Sequence, residues 1–226
     1  MNDSLSTPSD PADPFQGWTE AAQRFFIGLE LDNSKSYFEA NRELYACAVW
    51  GPMEALLAEL QPEFGPGKIF RINRDIRFSA DKSPYKTHIG AWAGDSGKGG
   101  YVQLSARGLY AAAGPYMMDP SDLERFRAAV ADEQGGCELD GIVAQWEADG
   151  YEVGGEALKV VPRGYPRDHP RARLLRHKGL YIGRDFGLQA WLGTAEAQHK
   201  VAQVWRDSQP VNAWLVARAG WPRPTG

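Results

Sequence analysis

The spacing of apolar residues changes period near Phe70, and that change bounds the fold more tightly than any other feature of the chain. Before it, Trp18, Ala21, Ala22, Phe25, Phe26 and Leu29 recur at nearly helical intervals. Tyr37, Phe38, Asn41, Leu44, Tyr45 and Ala48 extend the stripe, with Thr19 and Ser34 or Ser36 placed to cap. Pro52, after Gly51, predicts a break in the helix and a restart to about Leu60. From Phe70 the period is two. Phe70, Ile72, Arg74, Ile76 and Phe78 alternate with Arg71, Asn73, Asp75 and Arg77, the pattern of a strand with two unlike faces.

Further strands are expected over 88–93, 101–107 and 109–113, with Gly108 supplying positive φ in a tight turn and "AGDSGKGG" at 93–100 as a flexible hairpin loop. Helices resume over 120–132, where Ser121 can cap, and over 139–149. Short strands are expected at 151–153, 158–161 and 180–182, and a final helix broken near Pro210. Helices, then a meander, then helices predict an α+β fold: an antiparallel sheet packed against helices in a single domain over 15–226. Residues 1–14, rich in Ser, Asp and Pro, read as a disordered leader.

Composition narrows the function classes. The 226 residues are 43% hydrophobic and 24% charged, ordinary for a globular domain, and the formal net charge is -4. Duplex-DNA binders are usually basic, so nucleic acid is not expected as a partner. No apolar run is long enough to span a membrane. The first residues carry neither a basic start nor an apolar run, so no signal peptide is expected. Cys47 and Cys137 lie far apart and form no C-x-x-C, which suggests reduced, buried thiols in a cytoplasmic protein.

The charged chemistry concentrates in "FRINRDIRFSADKSPYK", residues 70–86. On the expected strand, Arg74 sits in the middle of the apolar face. A buried guanidinium must be paired, and Asp81, Glu39 and Glu43 are the candidates. Arg71, Asn73, Asp75 and Arg77 share the other face. In a cleft Arg71 and Arg77 would clamp a carboxylate or phosphate. On a solvated face they would form a surface ion-pair ladder of little energetic worth. Asp75 could orient the arginines or act as a base; its cationic neighbours favour orientation. Past the strand, Asp81, Lys82, Tyr85 and Lys86 follow on a turn stiffened by Ser83-Pro84.

A second loop, "PRGYPRDHP", carries Arg163, Tyr165, Arg167, Asp168 and His169. Either Arg163 and His169 complete a pocket opposite the strand, or the loop is a rigid connector with solvated charges. The basic run "RARLLRHK" at 171–178 is a solvated helix face or a contact for an acidic partner. His88, His169, His177 and His199 form no zinc spacing, and no metal or cofactor is expected. The chain has no P-loop, no G-x-S-x-G and no G-x-G-x-x-G after a strand. Its many aromatic residues mostly sit at core spacing.

Arg71, Arg74, Asp75, Arg77, Phe78, Asp81, Lys82, Pro84, Tyr85 and Lys86 resemble, in their spacing, the signature of the bacterial family known as domain of unknown function 2461. The stretch from Phe25 to Leu60 is similar to the family's N-terminal segment, with Asp32-Asn33 where Asn-Asn is usual and Tyr37 where Trp is usual. "YVQLSARGLYAAAGPYMMDPSDLERFRAAV" resembles its glycine-rich strand and following helix, with alanines at 111–113 in place of glycines. "VPRGYPRDHPRARLLRHKGLYI" is similar to its P-R-G-x-x-x-x-H-P segment. The resemblance implies this fold and these motifs; it carries no activity.

The residues support a cationic pocket for a small anionic ligand. Arg71, Arg77, Lys86, Arg163 and His169 would bind it, Asp75, Lys82 and Tyr85 would be the catalytic candidates, and Arg74 with Asp81 would be a structural ion pair. The alternative is a non-enzymatic module that contacts protein or nucleic acid through its basic loop, the Arg/Asp cluster being architectural. Oligomeric state and ligand identity stay open.

Overall fold

A computed structural model describes residues 14–77, 80–94 and 99–221. Outside these fall the expected leader (Pro14 excepted), Phe78 and the centre of the 93–100 loop. The fold is α+β. A six-stranded, wholly antiparallel sheet has the order β1-β2-β3-β4-β6-β5, with β1 Gly67–Ile69, β2 His88–Ala93, β3 Gly100–Ser105, β4 Gly108–Ala113, β5 Glu152–Gly154 and β6 Tyr181–Gly187. Gly108 opens β4 with φ 116°, which lets the chain turn back within two residues after Ser105.

The helices precede and follow the strands. At the N-terminal side are α1 (Glu20–Leu31), α2 (Lys35–Ala40), α3 (Arg42–Tyr45) and α4 (Gly51–Phe64). Ser34 caps α2 by accepting the Tyr37 N–H. The expected break at Pro52 is instead a π turn over Ala46–Trp50 that leads into α4. Pro52 has no N–H to donate, and Gly51 N–H reaches back five residues to Ala46 O, so the chain widens by one residue and stays helical.

The later helices are α5 (Pro120–Ala131), α6 (Glu133–Ala148), α7 (Ala172–Leu175), α8 (Glu196–Asp207) and α9 (Gln209–Trp214). Asp119, not Ser121, caps α5, accepting from the Ser121 and Asp122 N–H groups. Capped by Asp132, α6 begins at Glu133, six residues before the expected start, because the Asp132 carboxylate takes the Gly135 N–H and carries the helix through Gly135 and Gly136. Residues 158–161 form no strand; their stretch pairs only through the isolated bridge Ala157↔His177.

One hydrophobic cluster joins both sets of helices to one face of the sheet. Ile89, Ala91, Ala93, Val102, Leu104, Leu109, Ala111, Ala113 and Ile182 supply the sheet side. Trp205 of α8 locks the layers: its indole donates to Tyr101 O at 3.2 Å and stands edge-on to Phe64 of α4. The two cysteines are free and exposed on helix surfaces, contrary to the expected buried thiols.

Side chains alternate along a strand, so the other face of the sheet carries His88, Gly90, Trp92, Tyr101, Gln103, Ser105, Tyr110, Tyr181 and Asp185. Trp92 is 48% exposed there, and the tyrosines are half-buried.

Candidate functional site

The expected strand over 70–78 ends almost at its first residue. β1 stops at Ile69, and Phe70 N–H makes one further bond to Gly90 O. The chain then leaves the sheet and pairs with its own continuation. Arg74 N–H donates to Pro84 O, Lys86 N–H to Ile72 O, and Asn73 bridges Tyr85. Two side chains compete with ladder formation here. Asp75 Oδ1 accepts the Arg77 N–H, and Lys82 Nζ donates to Ile76 O at 2.9 Å. Among the described residues of the apolar alternation only Ile72 is buried; Phe70 is 41% and Ile76 39% exposed. Period two was therefore a true signal of extended backbone and a false one of a buried face.

The loop is fastened from below. Asn33, just before α2, accepts the Tyr85 N–H through Oδ1 at 3.0 Å and donates to Tyr85 O through Nδ2 at 3.1 Å. The Tyr85 ring is buried and stacks on Phe38 of α2, with centroids 4.5 Å apart. Both partners come from the segment between the first two helices, and nothing in the spacing of residues 70–86 points to them.

Most charges in this segment are committed to one another. Arg77 grips Asp75 bidentately, with Nη2 to Oδ2 at 2.7 Å and Nε to Oδ1 at 3.0 Å, so the expected clamp of Arg71 and Arg77 around Asp75 becomes one closed pair beside Arg71. The Arg77 guanidinium and backbone N–H, with Arg71 nearby, hold the Asp75 carboxyl below its usual range. Arg74 meets Asp81 among its three candidates, and Asp81 also accepts the Ser83 N–H. Lys86 Nζ donates to Arg71 O at 2.9 Å and lies 5.8 Å from the centre of the Phe70 ring.

Arg71 is different. Its guanidinium is exposed and makes no hydrogen bond or ion pair among the described residues. Its charge reaches its neighbours through space. Burial, then Arg71 and Arg74, lower the Lys86 pKa; burial, then Lys86 and Arg74, lower that of His88 at the start of β2. Arg71, Lys86 and His88 thus gather at the β1–β2 end of the sheet, with Arg74, paired to Asp81, beside them.

Arg163 and His169 are not brought to this patch. Their loop is tied to the other edge and other end of the sheet, through Lys178 N–H to Glu156 O, Leu158 N–H to Arg176 O and Leu180 N–H to Pro115 O. His169 Nδ1 accepts the Arg171 N–H. The 171–178 run is largely neutralised at home: Arg171 meets Asp140 and Glu133, Arg173 meets Glu147, and Lys178 meets Glu156. Among the described residues no group of three or more His, Cys, Asp or Glu side chains is placed to hold a metal. No described helix is long and apolar enough to cross a membrane.

The sequence model of a family described as a conserved hypothetical protein (DUF2461) matches residues 21–214. The chain belongs to that family. No curated protein and no solved structure matches it. For this DUF2461 chain the matched span includes the Asn33 clamp, the 70–88 segment and all six strands.

The aromatic side of the sheet is the feature that sequence reading missed. Tyr101 lies over Gly90, Tyr110 over Gly183 and Tyr181 over Gly154, each ring covering a glycine on the neighbouring strand where a Cβ would collide with it. A signal was available: residues 101, 103 and 105 alternate with the buried 102 and 104.

Proposed function

We propose that the 70–88 segment is a binding site for a small anion, with Arg71 as the primary ligand-binding residue and Lys86 and His88 beside it. The single observation that carries this reading is the state of Arg71. It is an exposed guanidinium with no hydrogen bond or ion pair among the described residues, next to an amine and an imidazole whose pKa values are pushed down by burial and by neighbouring cations. An anion arriving there relieves repulsion already present in the folded protein. Arg77 and Asp75, and Arg74 and Asp81, fix the loop that presents Arg71.

Binding fits the geometry better than chemistry does. Asp75 is tied to Arg77 and held ionised, Lys82 to a carbonyl, and the Tyr85 ring is stacked in the core. The alternative, a module working through the 163–178 loop, has less support because Arg171, Arg173 and Lys178 of its second half already have acidic partners.

Thermal melting in sulfate and in phosphate tests the proposal on wild type and Arg71→Ala. At about a hundred times Kd, linkage stabilises the native state by about 2.7 kcal/mol. The wild type should melt several degrees higher with anion; the variant should fold normally and lose the shift. A wild type that sulfate and phosphate leave unmoved, or a variant that keeps the shift, would sink the reading.

A further inference from the structure

The cationic patch does not stand alone. Phe70 and His88 project to the aromatic side of the sheet, and Phe70 meets Tyr101 with ring centroids 6.3 Å apart. Tyr101 continues to Tyr110 at 6.5 Å. Tyr101 and Tyr110 reach across Gly90 and Gly183, and the rings are tilted to one another, by 35° between Phe70 and Tyr101 and by 58° between Tyr101 and Tyr110. Covering glycine explains these tyrosines as sheet stabilisers. It does not explain Phe70, which covers no glycine and keeps 41% of its surface open between Tyr101 and Lys86.

We propose that this corner takes a planar aromatic group bearing an anionic head, as a mononucleotide does: the ring on Phe70 and Tyr101, the phosphate at Arg71, Lys86 and His88. The inference deepens the anion-binding reading and rests on it. Sequence-tolerant stacking on exposed aromatic rings beside a basic rim is a general way to hold such a group. Charge decides between a single nucleotide and a nucleic-acid strand. A strand would run its phosphates along the row of rings, but the far side of the same face carries Glu152 and Asp185, whose charges add to burial in raising the Tyr110 pKa. Arg71, Lys86 and His88 border the row of rings at one end, and that suits one short anion.

Calorimetric titration at low salt with AMP, adenosine, ribose 5-phosphate, inorganic phosphate and an oligothymidine octamer tests this. AMP should bind at least roughly tenfold more tightly than ribose 5-phosphate or adenosine, the scale of one base–aromatic stack. Its base protons should shift upfield in NMR spectra. Phe70→Ser, at an exposed strand end, should bring AMP to the level of ribose 5-phosphate and leave the latter unchanged. Retained ribose 5-phosphate affinity in Phe70→Ser reports an intact sheet corner, so a loss of AMP affinity there cannot be ascribed to a general collapse of the sheet.

If AMP and ribose 5-phosphate bind equally and both need Arg71, the anion site stands and the stacking on Phe70 and Tyr101 is overturned. If none of the phosphates binds, both readings fall. AMP affinity indifferent to Phe70→Ser overturns the inference by placing the nucleotide elsewhere. An octamer that binds far more tightly than AMP overturns it in favour of a nucleic-acid strand.

Discussion

At His88, burial and charge push in the same direction. Desolvation comes first, then Lys86 and Arg74, and all three hold the folded pKa below the ordinary 6.5. The unfolded chain takes up a proton near 6.5 while the folded protein resists it, so stability from this group falls as pH drops through that value. An anion at the patch works in reverse, since it favours the imidazolium. Sulfate keeps its charge across this range and is the clean probe. Its affinity should rise as pH falls from 7.5 through 6.5 and below, and the rise should be much smaller in His88→Gln. A flat affinity profile in the wild type would remove His88 from the site.

Asn33 ties the segment from Ile72 to Lys86 to the N-terminal helices through two hydrogen bonds to Tyr85. Asn33→Ala leaves the buried Tyr85 N–H without its partner, a loss of about 1–3 kcal/mol. Hydrogen exchange should show where the loss falls. The amides of Arg74 and Lys86, which bond to Pro84 and Ile72, should lose protection, while those of β3 and β4 should keep theirs. Uniform loss across the sheet would mean the clamp supports the whole fold. Here the limits of the sequence become physical. The strand expected over 101–107 was legible because burial alternates along β3 and leaves its mark in residue type. The clamp was not, because an asparagine reaching 52 positions along the chain leaves no periodic trace. The segment 70–77 misled because side chains that bond to nearby backbone can be written in the same alternation as a strand. Asp75 and Lys82 read as site residues from their type, and only contacts reveal that each is spent on its own loop.

Across the whole molecule, one hydrophobic cluster carries the N-terminal helices, the sheet and the C-terminal helices together. Trp205 touches all three layers and is fully buried. Trp205→Ala should cost about 3–5 kcal/mol, through lost burial and the cavity left behind. Urea denaturation should show a single transition moved to lower concentration. Two separate transitions would mean the layers are held together less tightly than the shared core implies.

The sheet ends on both sides in a three-residue strand, β1 at one margin and β5 at the other. Long open margins recruit strands from other chains, and here each offers fewer than four residues, with Lys68 near one and Glu152 near the other. Beyond β1 the backbone has already turned to pair with its own loop. The same departure that displays Arg71 also denies a neighbouring molecule a template, so the fold guards against fibre growth at the corner where it is most exposed.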